Sequence, residues 1–208
     1  LAILLAGCAG RPLAEGEVAL ANDIFGADLD LTEVRVKSGF RGAPDIADAP
    51  LPPRAPIEAR PGVCDRVAPR EGPTGPPPAW ALYNTIHFSK EFYRSDTAPG
   101  WPDNVLLPQS LILAHELVHI WQWQNRARTG YRPARAAFEQ VLNQDPYFYV
   151  PEPGSGYLEY GYEQQASLLE DYMCYGLFDP QNPRRGELRE ILAPIYQMDR
   201  FDAVLAKE

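Results

Sequence analysis

Three residues within one short window have types and spacing that could do chemistry: His115, Glu116 and His119, inside LILAHELVHIWQWQN (residues 111–125). On a helix four residues make about one turn, so the two imidazoles share a face and can meet one cation, while Glu116 projects from the same turn at another angle. Such a pair suits a borderline metal ion such as Zn2+, and the adjacent carboxylate can take a proton from water without entering the coordination sphere. The competing reading is a helix with two incidental surface histidines. Ala114, Leu117, Val118 and Ile120 speak against it, because they describe a buried helix in which unliganded paired imidazoles would be awkward.

A tetrahedral catalytic zinc takes three protein ligands and keeps a fourth position open. Only His87 remains among the histidines, and no His-x-x-Gly-x-x-His continuation follows His119. A carboxylate is therefore expected as the third ligand. YLEYGYEQQASLLEDYMCYGL (157–177) offers Glu159, Glu163, Glu170 and Asp171, of which Glu163, 44 residues beyond His119, stands best. Glu163, Ala166, Ser167 and Glu170 fall on one helical face, and the small pair admits a close neighbouring helix. His87 could touch substrate or metal, although a lone histidine on a strand is more often structural.

The elements that must position these residues follow from periodicity. DLTEVRVKSGF alternates apolar and polar residues and is expected to form a strand, and WALYNTIHFSKEFY (80–93) is the best strand candidate. Residues 42–78, dense in Pro, Gly and Ala, are expected to be one long irregular excursion. Helices are expected over 111–128, closed by Gly130, and over 133–143, 158–177 and 186–207, the last interrupted at Pro194. Strands first and helices later predict an α+β fold in one domain over 22–208, with residues 1–21 as a signal end and tether.

A His-Glu-x-x-His helix followed by a Glu-x-x-Ala helix resembles the gluzincin branch of the zincin metallopeptidases. FGADLDLTEVRV, HELVHIWQWQ and EQQASLLEDY together resemble the Vgr-related zincin-like proteins of bacteria, over residues 22–175 with the proline-rich stretch as a departure. The resemblance implies a zincin-like fold, a small mixed or antiparallel sheet with the motif helix and a second ligand helix. It implies Zn2+ on His115, His119 and Glu163, Glu116 as catalytic base, and a peptide or protein substrate laid along ALYNTIHFS as an edge strand. An outer acceptor for a liganding imidazole N–H is expected at Asp171, with Glu170 as the alternative. The aromatic loop carrying Tyr147, Phe148, Tyr149, Tyr157, Tyr160 and Tyr162 could supply an oxyanion-stabilising phenol. Trp121 and Trp123 are expected to be core and wall.

LAILLAGCAG at residues 1–10 resembles a bacterial lipobox, which implies a lipid on Cys8 as membrane anchor, with Ala9 leaning toward the periplasmic side of the outer membrane. Cys64 and Cys174 would then be an even pair, equally readable as a disulfide or as two separate thiols. A net charge of −9 over 208 residues disfavours nucleic acid as a partner. The leading expectation is thus a lipid-anchored zinc metallopeptidase of the bacterial cell envelope. The alternative is a catalytically silent zincin-fold lipoprotein acting as a binding or assembly module, which the intact Glu116 opposes. A secretion-associated effector domain fits the Vgr resemblance but sits poorly with a lipid tether.

Overall fold

The computed structural model describes residues 10–39, 57–70, 75–152 and 154–206. The lipobox-like segment with Cys8 lies outside the described residues, as does much of the proline-rich excursion. Among the described residues no helix is long and apolar enough to cross a membrane.

The architecture is α+β. β1 (Arg35–Ser38), β2 (Ala79–Leu82) and β3 (Thr85–Phe88) form a mixed sheet in the order β1-β3-β2, with β1 parallel and β2 antiparallel to β3. Alternation holds as expected, with Val36, Ile86 and Phe88 inward and fully buried. The single strand expected over 80–93 is instead a hairpin. It turns at Tyr83 and Asn84, with Tyr83 in the left-handed region at φ 54. That places β3 at the centre, so the sheet edge beside the motif helix is β2 rather than the whole of ALYNTIHFS.

The expected tether contains a helix. α1 (Glu15–Phe25) buries Leu20, Ala21, Ile24 and Phe25, two i,i+4 pairs that place it in the core. Glu17 is also wholly buried, clamped by two 2.7 Å bonds from Arg11 and by Thr97. The domain therefore begins before residue 22.

α2 (Gln109–Gln124) carries the motif and is buried without a break from Ile112 to Gln122. The short α3 (Arg126–Thr129) ends at Gly130, whose φ of 67 satisfies the left-handed cap. α4 (Pro133–Leu142) leads to a loop and then to α5 (Tyr162–Phe178), followed by α6 (Pro183–Leu192) and α7 (Met198–Leu205). Glu163 and Glu170 of α5 both reach His115 of α2. Ala166 and Ser167, between them on the same face and fully buried, let the two helices close. Cys64 and Cys174 are bonded, tying the 57–70 segment to α5 across a separation of 110 residues. Closing a loop of that size stabilises the fold by about 5 kcal/mol in the chain-entropy account.

Candidate metal centre

The packing of α2 on α5 brings three ligand atoms together. His115 Nε2 and His119 Nε2 each lie 3.2 Å from Glu163 Oε2. One ligand atom from each of the three residues falls within 4.8 Å of the others, and all three side chains are buried. Gln140 of α4 donates to Glu163 Oε1 at 2.7 Å, which turns Oε2 toward the imidazoles.

The outer hydrogen bonds decide what those atoms offer. His115 Nδ1 is 3.0 Å from Glu170 Oε2, and an ionised carboxylate only accepts, so Nδ1 carries the proton. His119 Nδ1 is 2.9 Å from Gln122 Oε1, and the amide is oriented by its Nε2, which donates to the Tyr162 carbonyl and to Gln165 Oε1. Nδ1 of His119 is therefore a donor too. In the neutral rings both Nε2 lone pairs then face a carboxylate oxygen. Lone pair against lone pair repels, so a positive species must mediate these contacts, either ring protons or a metal cation.

Glu116 stands beside this cluster, 4% exposed, with Oε2 lacking a hydrogen-bond partner among the described residues. Burial pushes its carboxyl up to about 7, against the opposing pull of the His115 and His119 charges. It lines a cleft of about 550 Å³ together with His115, Tyr147, Gln140, Arg66 and Arg70.

The structure places the other expected residues as follows. Asp171, the first choice as outer acceptor, does not reach a histidine: it takes Arg66 Nε at 2.6 Å and the Tyr149 hydroxyl at 2.7 Å. Glu170 fills that role for His115 and Gln122 fills it for His119. Glu159 accepts from the Gly156 N–H of its own turn. His87 stacks on Trp80 at 3.9 Å with Nδ1 on the Gly39 carbonyl, in the sheet. Of the expected phenols Tyr147 faces the cleft, its ring 5.8 Å from that of His115. Tyr149, Tyr157 and Tyr162 are engaged with Asp171, the Gln165 carbonyl and the Gly130 carbonyl. Trp121 is core and Trp123 packs on Tyr83 and Arg126. Sequence reasoning missed Gln122, Gln140 and Arg66 as supports.

These environments set a pH dependence for the metal-free protein. Burial disfavours the His115 imidazolium, but Glu163 and Glu170 outweigh it and raise the group to about 10; His119, likewise opposed by burial, is raised by Glu163. Glu163 is held below its ordinary value by the two histidines despite burial. A raised histidine contributes fully below about pH 6.5, and that stability is lost as pH rises toward about 10. The raised Glu116 adds a loss between about 4.5 and 7, whereas the Glu163 contribution disappears only as pH falls below about 4.5. With chelator present, Tm is expected to fall between pH 6 and 9, and saturating Zn2+ should remove most of that fall. A chelated protein that gains stability over this range would contradict the assignment.

No family model matches the chain. The type VI secretion system spike protein VgrG2b of Pseudomonas aeruginosa is 28% identical over 164 residues, which is 79% of this chain and 13% of that protein. The chain thus spans only a small part of the relative. Among solved structures, the effector domain of P. aeruginosa VgrG2b superposes with a TM-score of 0.53 at 24% identity, covering 92% of this chain and 88% of that one. This likeness establishes a shared fold. The first match is to a secretion-system spike protein and the second to the effector domain of that protein. They overturn the recognition as a gluzincin-type metallopeptidase, and with it the lipid-anchored envelope peptidase and the silent assembly lipoprotein.

Proposed function

We propose that the chain is a metal-dependent hydrolase domain of effector type, with His115, His119 and Glu163 holding a divalent cation and Glu116 acting as general base. One observation carries the reading: two Nε2 lone pairs and a carboxylate oxygen converge beside a buried carboxylate oxygen that has no partner among the described residues, at the wall of a cleft. The set of two nitrogens and one oxygen, all in a buried site, suits Zn2+ over the harder, oxygen-seeking Mg2+ and Ca2+. Bound there, a cation would supply Lewis acidity, polarising a carbonyl and acidifying a water. Glu170 and Gln122 keep both imidazoles in the ligating tautomer, and Gln140 orients Glu163. Glu116 accepts a proton at Oε2 and returns it to the leaving group. A single cation with one carboxylate base suits an amide or ester carbonyl better than phosphoryl displacement, for which paired cations are the common solution. The VgrG2b matches support the effector context.

Protein purified without chelator should carry about one equivalent of Zn2+ by elemental analysis, as a three-ligand site requires. Titrating Zn2+ into stripped protein should release protons, because the metal displaces those held on the histidines. Finding neither bound metal nor micromolar Zn2+ affinity would overturn the proposal.

A further inference from the structure

We propose that Arg66 is a positioning residue of the metal centre, set in register by the Cys64–Cys174 disulfide; the inference rests on the metal-dependent reading above. Arg66 bridges two consecutive carboxylates of α5. Its Nε donates to Asp171 Oδ2 at 2.6 Å, and its Nη2 lies 3.4 Å from Glu170 Oε2. That Glu170 oxygen is the one bonded to His115 Nδ1. A continuous chain therefore runs from the His115 ring through Glu170 and Arg66 to Asp171 and the Tyr149 hydroxyl.

Each link does something different. Asp171 is buried and anchors the guanidinium, which burial alone would disfavour. Glu170 is more exposed, with 27% of its side chain accessible, and carries enough rotamer freedom to drift from His115. The second arm of Arg66 restrains it. A planar fork spans two carboxylates in a way that a single ammonium cannot.

Arg66 comes from a segment with little regular structure, and that segment is tied to α5 just where the guanidinium must land. Besides the disulfide, Tyr175 donates to Asp65 at 2.6 Å and Arg60 N–H donates to the Phe178 carbonyl at 2.9 Å. The covalent tie lies two residues before Arg66 and three after Asp171. It forms by exchange with a protein disulfide, which departs as a dithiol carrying the two electrons and two protons lost by Cys64 and Cys174. The centre is then fully supported only in the oxidised chain.

The test measures Zn2+ affinity and the visible spectrum of the Co2+-loaded protein for the full chain and its variants, with folding followed by circular dichroism and without thiol reductants. Arg66→Ala should weaken Zn2+ binding about tenfold or more, as should Glu170→Gln. Combining them should add little further loss, because Arg66 acts through Glu170. Arg66→Lys keeps a charge beside Asp171 and should rescue folding but not full affinity. Cys64→Ser/Cys174→Ser should weaken binding in the same direction. Wild-type affinity in both Arg66 variants, or additive losses in the double variant, would overturn the role of Arg66. A wild type that binds no cation would instead remove the metal-dependent reading, and this inference with it.

Discussion

Glu163→Ala is expected to lose Zn2+ by more than the roughly 10–100-fold typical of removing an outer partner of a ligand. The variant deletes the one carboxylate oxygen that, among the described residues, is placed against both Nε2 atoms, 3.2 Å from each. It also leaves Gln140 without its acceptor. In the metal-free protein the same change removes the charge that raises both imidazoles, so their proton uptake at neutral pH should fall in parallel. Competition with a chromophoric chelator measures the first effect, and potentiometric or NMR titration the second. Glu159→Ala is the matched control, since among the described residues its carboxylate accepts from the Gly156 N–H of its own turn, and it should leave affinity unchanged. Wild-type Zn2+ affinity in Glu163→Ala would remove Glu163 from the ligand set.

The convergence of His115, His119 and Glu163 is readable in the sequence because helix geometry is a strong constraint. Four residues separate the histidines, and the small-residue stripe beside Glu163 announces a close helix pair. The outer acceptor is readable from the same helix geometry. On a helix Glu170, seven residues after Glu163, returns to within about 20° of it, while Asp171 is turned by about 80°. Glu170 is thus the one aligned with the imidazoles. α1 is obscured in the sequence by Gly10, Pro12 and Gly16, which break the pattern ahead of the Leu20–Ile24 and Ala21–Phe25 pairs. The β2–β3 hairpin was hidden by a turn made with Tyr83 and Asn84, without the glycine that usually marks one. Arg66 was beyond reach: it lies more than a hundred residues from Glu170 in a stretch without periodicity, and tertiary packing alone brings them together. The histidine motif, for its part, speaks for metal chemistry and says nothing about compartment or scissile bond. The expected envelope location comes from the lipobox-like residues 1–10 and the expected peptide bond from the zincin resemblance, whereas the comparisons lead to a secretion spike protein and its effector domain.

Turnover should respond most at Glu116. Glu116→Gln preserves volume and leaves His115, His119 and Glu163 untouched, so cation content should remain that of wild type. Hydrolysis of whichever amide or ester probe the wild type turns over should fall by about 10²–10⁴ in kcat, the usual contribution of a general base. The change removes the one function the glutamate's surroundings favour. Its Oε2 is buried, lies beside the ligand cluster and has no partner among the described residues, and burial gives the carboxyl a proton affinity suited to exchange near neutrality. Because the deprotonated form does the work, the wild-type rate should decline as pH drops through the Glu116 pKa, and the glutamine variant's residual rate should not follow that decline. A variant that keeps both its rate and its acid limb would move the base elsewhere, and Tyr147, whose phenol burial holds protonated across this range, could not take that place. Separating cation content from turnover in one isosteric substitution is what distinguishes a hydrolytic centre from a cation held only for structure.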